Sequence, residues 1–181
     1  MEWKRMLAQD AVAVARQLIG WSLYVREEDG TLTGGTIIET EAYTAEDAAS
    51  HSYRGETPRN RVMFGAAGNV YVYFTYGMHW CVNIVTGAAG DGQAVLIRAI
   101  RPEQGIKHMR ERRNGRPDPE LTNGPAKVCQ ALGITGADNG AQVNEGRFML
   151  VPPAGDPPLV QALPRIGIRH DTHRLWRFIE A

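Results

Sequence analysis

The chain has 181 residues, 43% of them hydrophobic and 22% charged, with 20 Lys plus Arg against 20 Asp plus Glu. That length suits one domain able to bury a core and an enclosed pocket, and the balanced charge points to no partner by itself. Two cysteines (Cys81, Cys129), no Cys-x-x-Cys pair, a charged start and no apolar run near the ~18 residues of a membrane span argue against a secreted scaffold, a membrane protein or a disordered chain, leaving a soluble protein of a reducing compartment.

Residues 7–19 have helical spacing, with Leu7, Val12, Ala15 and Leu18 on one side and Gly20 as the stop. Residues 21–27 and 31–42 read as two strands about the turn Glu28-Asp29-Gly30. The polar stretch 44–68, broken by Gly55, Pro58, Gly65 and Gly68, reads as a long loop with at most a short helix. Loops of that length are usually functional. Residues 69–75 and 79–86 are aromatic and β-branched, and flank Tyr76-Gly77-Met78 as a hairpin. Residues 93–100 form a further strand, and Pro102 opens a helix running to about residue 113. After a loop at 114–119, a helix over 125–132 takes Thr122 or Asn123 as its cap and Gly133 as its stop. Segments 147–151, 162–168 and 175–179 read as short strands. The expected fold class is α+β: a single domain over 1–181 with a curved, mainly antiparallel sheet, flanking helices and a protruding hairpin.

Charge is unevenly placed. Residues 27–50 carry seven acids and no base, whereas 98–116 carry seven bases and two acids, and 165–181 add four arginines and two histidines. Such asymmetry fits a polyanion-binding face opposite an acidic one, although for the 107–113 run alone a solvated helix face is the better explanation.

Glu39, Glu41 and Tyr43 fall on one face of a strand, with neighbours about 6.6 Å apart. Two carboxylates beside Ile37 and Ile38 are costly to bury unless each finds a partner or a shifted pKa. Either one is a general base and the other its structural partner, or the strand is an exposed edge. Tyr71 and Tyr73 share a face that suits a slot for a planar ligand, and sheet aromatics explain them too. Tyr76, at a turn, suits a wedge between stacked bases and is poorly explained by a sheet core. His51 lies in the long loop near Arg54, Arg59 and Arg61, and Thr57-Pro58-Arg59-Asn60-Arg61 offers a phosphate clamp. Asn83 and Arg98 are polar residues within apolar strands and need partners if buried. Nucleotide-loop, serine-hydrolase and zincin motifs are absent from the sequence.

Together these segments resemble the alkyladenine (3-methyladenine) DNA glycosylase family. The resemblance rests on Ile37-Ile38-Glu39-Thr40-Glu41-Ala42-Tyr43, Thr57-Pro58-Arg59-Asn60-Arg61, Tyr71-Val72-Tyr73 through Tyr76-Gly77-Met78, Asn83-Ile84, Val95-Leu96-Ile97-Arg98-Ala99, Gly124-Pro125-Ala126-Lys127-Val128-Cys129-Gln130-Ala131 and Arg165-Ile166-Gly167-Ile168. It spans about residues 7–178.

The resemblance implies a monofunctional base-excision enzyme, a monomer in the cytoplasm and nucleoid (or the nucleus of a eukaryote). Such an enzyme flips alkylated or deaminated purines out of double-stranded DNA and hydrolyses the N-glycosidic bond. It implies no metal, no cofactor, no membrane and no lyase step. By position, Glu41 would activate water, held by Arg98 and the backbone carbonyl of Ile166. Tyr43 would stack on one face of the base, and His51 and Tyr73 on the other, with Tyr71 supporting His51. Asn83 would stand where the amino group of normal guanine clashes. Tyr76 would fill the gap in the duplex with Met78 and His79 pressing beside it, and Thr57, Arg59 and Lys127 would contact the backbone. His79 stands where relatives can carry an aromatic, which would make that contact pH-dependent. Two other readings compete: a non-catalytic nucleic-acid-binding module on a related fold, and a sugar hydrolase pairing Glu39 with Glu41 as acid and base.

Overall fold

A computed structural model describes residues 1–181. It contains α1 (Glu2–Leu7), α2 (Ala11–Gln17), β1 (Ser22–Arg26), β2 (Leu32–Tyr43), β3 (Val70–Thr75), β4 (His79–Thr86), β5 (Gln93–Gln104), α3 (Ile106–Arg112), α4 (Pro125–Leu132), β6 (Phe148–Val151), β7 (Val160–Leu163) and β8 (Arg177–Glu180). The α+β class and the antiparallel sheet are as the sequence leads one to expect. All strands join one curled sheet in the order β3-β4-β5-β2-β1-β6, with β8 against β2 and β7 against β8. No helix is long and apolar enough to cross a membrane.

Strand β2 organises the molecule. One side pairs with β5 along nearly its whole length. The other is divided, its first half pairing with β1 and residues 39–41 with β8. Gly34 and Gly35 permit the tight packing at its start, because a Cβ there would lie 2.0 Å from the Leu23 carbonyl oxygen or 1.9 Å from that of Arg101. Register shifts follow on either side of Glu39. Helices α2 and α4 pack on the sheet around Leu7, Val14, Leu18, Ile37, Ile97, Leu132 and Phe148, all at most 1% exposed. Burying each such aliphatic or aromatic side chain contributes roughly 1.5–3 kcal/mol.

Four boundaries differ from the sequence expectation. The helix expected over 7–19 is two helices, since the Asp10 carboxylate accepts from the Val12 and Ala13 amides and starts α2 afresh. Pro102 does not open a helix: β5 runs through it to Gln104, and α3 begins after Gly105, whose φ of 68° is left-handed. Proline is tolerated there because it pairs with Gly35 next to a register shift. The cap of α4 is Gly124, not Thr122 or Asn123; the Thr122 hydroxyl donates instead to the Ile100 carbonyl at 2.6 Å. The strand expected over 162–168 ends at Leu163, and 164–168 form a loop that enters the site.

Candidate active site

A cleft of about 330 Å³ opens beside the C-terminal half of β2. Its volume lies within the ~300–1,000 Å³ of small-molecule sites. Glu41 sits at its floor with no exposed surface. Its carboxylate is held from three directions. The Ile166 amide donates to Oε1 at 2.8 Å, the Tyr43 hydroxyl to Oε2 at 2.6 Å, and an Arg98 Nη1 lies 3.3 Å from Oε1. An ionised carboxylate offers about four acceptor positions, so one remains for a further donor such as water. Burial pushes the Glu41 carboxyl above the ordinary glutamate value, against the opposing pull of Arg98, the Ile166 amide and Tyr43.

Glu39 has a different environment. Arg98 Nε donates to its Oε1 at 3.0 Å and Arg177 Nη1 lies 3.1 Å from the same oxygen. Arg98 therefore spans both carboxylates, and Glu39 is not among the residues lining the cleft.

The walls are aromatic. The His51 ring lies edge-on to Tyr73 with centroids 4.3 Å apart, and its Nδ1 is 3.1 Å from the Tyr71 hydroxyl. His51 keeps part of its surface in solvent; desolvation of its inner edge, and then the nearby Arg59 charge, draw its pKa below the usual histidine value. Burial pushes the Tyr71 phenol up to about 12 and raises those of Tyr43 and Tyr73 further, so all three are neutral rings at physiological pH. The Asn83 amide donates to the Tyr71 carbonyl at 3.1 Å and fixes the slot from β4. At the mouth stands the β3–β4 turn. Tyr76 and Gly77 both have positive φ (52° and 65°), and Tyr76 and Met78 are 84% and 74% exposed.

A family model described as methylpurine-DNA glycosylase matches residues 5–181. The chain belongs to that family. Similar proteins provisionally named 3-methyladenine DNA glycosylase occur in Methanoculleus marisnigri (49% identical over 165 residues, 88% of this chain and 84% of the relative), Carboxydothermus hydrogenoformans (44% over 178 residues, 97% and 92%) and Nitrosospira multiformis (47% over 168 residues, 93% and 84%). The cleft is thus one in a DNA glycosylase for alkylated bases.

Within this family fold, Glu41, Tyr43, His51, Tyr71, Tyr73, Tyr76, Asn83, Arg98 and Ile166 all border the same cleft. Thr57, Arg59, Met78, His79 and Lys127 lie outside it. Thr57, Arg59, Met78 and His79 are exposed. Arg59 Nη2 donates to the Phe74 carbonyl at 3.4 Å, so it braces the hairpin, and Lys127 Nζ donates to Asn123 at 2.8 Å.

Three further residues shape the site of this glycosylase and were not singled out from sequence. Asn60 is buried; its amide donates to the carbonyls of His51 and Gly55 and its oxygen accepts the Thr57 amide, which closes the loop carrying His51. Asp47 and Arg165 form a buried bidentate ion pair. The Arg165 guanidinium also donates to the Ala42 carbonyl at 3.0 Å and lies 4.9 Å from the Tyr43 ring centroid and 5.2 Å from that of Trp176. An asparagine between two arginines gives a weak local turn signal. The Asp47–Arg165 pair, 118 residues apart in sequence, gives none.

Proposed function

We propose that the protein, acting as a monomer, extrudes an alkylated or deaminated purine from duplex DNA into this cleft and hydrolyses its N-glycosidic bond with water activated by Glu41. The observation that carries this reading is a fully buried carboxylate with three donors and one free acceptor position at the floor of a slot lined by tyrosine and histidine. Breaking a purine–sugar bond passes through an oxocarbenium-like state, for which an adjacent carboxylate supplies both opposite charge and an oriented water. Arg98 and the Ile166 amide favour the ionised form that this role requires.

In this reading Tyr43 forms one wall for the flipped base, and His51 and Tyr73 the other. Electron-rich ring faces attract an alkylated purine that bears positive charge. That lesion is already a good leaving group, so a single carboxylate is enough catalytic apparatus for it. Asn83, buried and fixed to the Tyr71 carbonyl, narrows the slot against the amino group of normal guanine. Tyr76 and Met78, held out at the hairpin tip, take the place of the extruded nucleotide. Extrusion costs a few kcal/mol and least at a weakened pair, which itself favours damage. Thr57, Arg59, His79 and Lys127 contact the phosphate backbone. A sugar hydrolase using Glu39 as its acid is disfavoured, because Glu39 does not line the cleft and is paired with both Arg98 and Arg177.

In this reading the reaction ends at the abasic site, with no Schiff-base step. The test is incubation with methylated duplex DNA and with duplexes carrying hypoxanthine or ethenoadenine. The expected products are free base and an alkali-labile abasic site, without borohydride-trapped protein–DNA adducts. DNA binding without release of any base would support a non-catalytic module instead.

A further inference from the structure

Arg177 stands opposite Glu41 in the β2–β8 ladder, yet its guanidinium makes its contacts elsewhere. Its Nη1 lies 3.1 Å from Glu39 Oε1, and its Nε donates to the Pro164 carbonyl at 2.8 Å. Each contact leads back to Glu41. Glu39 shares Arg98 with Glu41, so the charges alternate along Arg177, Glu39, Arg98 and Glu41. Pro164 opens the turn whose Ile166 amide donates to Glu41 Oε1.

We propose that Arg177 is a positioning residue that sets both cationic and hydrogen-bonding support of Glu41, through Glu39 and through the 164–166 turn. The inference rests on Glu41 being the base of the reaction. Its physical basis is competition for Arg98. Glu39 holds Arg98 at 3.0 Å and Glu41 holds it at 3.3 Å. With Arg177 neutralising Glu39 from the other side, Arg98 is free to serve both carboxylates. Without Arg177, Glu39 has one cation left and draws it away from Glu41, while the Pro164 carbonyl loses its donor. The groups facing Glu41 are Arg98 from β5, Tyr43 and Glu39 from β2, Cys81 from β4, and Arg165 in the loop after β7. Of these Arg177 touches Glu39 directly and reaches Arg98 through it, and its bond to the Pro164 carbonyl supports the segment that carries the Ile166 amide.

The test is the ¹³C titration of the Glu41 carboxyl, assigned with E41Q, together with the acid limb of single-turnover base release. In R177M both midpoints are expected to move upward by about half a pH unit, which is a threefold loss of rate on the acid limb. R177K, which keeps the charge on Glu39, is expected to return the titration toward the parent value. In the E39Q background the charge route is cut, so R177M is expected to move the midpoint much less than in the parent. An unmoved Glu41 titration in folded R177M, or an equal shift in the E39Q background, would overturn the proposal. If R177M does not fold, R177Q against R177K gives the same comparison. A Glu41 midpoint that moves in a protein releasing no base would refute the catalytic reading and leave the positioning role standing.

Discussion

Glu41 and Tyr43 are two residues apart on β2, and the Tyr43 hydroxyl donates across 2.6 Å to Glu41 Oε2. The hydrogen bond joins a wall of the slot to the carboxylate at its floor, so the ring and the carboxylate are aligned by one strand. Strand geometry provides this, because alternate residues point the same way. Rotation of Tyr43 would leave Glu41 short of a donor in a buried site, which holds the ring in place. Arg165, 4.9 Å from the Tyr43 ring centroid, reinforces it.

The raised carboxyl of Glu41 links activity and stability with opposite signs. A group whose folded pKa is raised stabilises the fold fully below its unfolded value, and that contribution is lost as pH rises through the folded value. In the proposed mechanism base release requires the ionised form and is expected to rise through the same midpoint. As pH rises above the ordinary glutamate value toward the raised folded one, the parent should therefore lose stability relative to E41Q in urea unfolding while its release rate climbs. A parent that gains stability relative to E41Q as pH rises would contradict the burial-driven shift.

The Asp47–Arg165 pair should behave as a buried ion pair with no solvent access. R165M leaves the Asp47 charge uncompensated and is expected to cost about 3–5 kcal/mol in urea unfolding. Removing the stranded charge as well, in D47N/R165M, is expected to recover a large part of that loss. Equal destabilisation of the single and double variants would show that packing against Tyr43 and Trp176, rather than charge, dominates.

Tyr76 occupies a left-handed position, φ 52°, with 84% of its surface in solvent. A bulky residue there costs of the order of 1 kcal/mol that asparagine largely avoids. Y76N is expected to unfold at higher urea concentration while releasing base from duplex DNA at least about tenfold more slowly, in line with the ~1–3 kcal/mol of an aromatic stacking contact. Retained release in Y76N would remove the tip from the account of extrusion.

The site was legible where chemistry follows local periodicity. Alternation placed Glu41 and Tyr43 together, while register shifts on either side of Glu39 leave it outside the cleft, and the aromatic hairpin announced Tyr71, Tyr73 and an exposed Tyr76. It was illegible where partners come from far along the chain. Nothing near Glu41 foretells the Ile166 amide, 125 residues away, and the strand read over 162–168 hid the loop that delivers it. The fold shows the same division. The sheet and the hairpin are written in β-branched and aromatic runs, but Asp10 interrupts a helical pattern by a cap, and Pro102 survives in a strand because Gly35 and a register shift accommodate it. Local propensity proposes each element, and tertiary pairing decides where it stops.

The role of Glu41 in activating the attacking water is decided by single-turnover base release by E41Q on methylated duplex DNA, with binding measured in parallel. The expected rate is at least about 100-fold lower, the usual contribution of a general base, with DNA affinity within about threefold of the parent. Base release at the parent rate by a folded E41Q protein would contradict it.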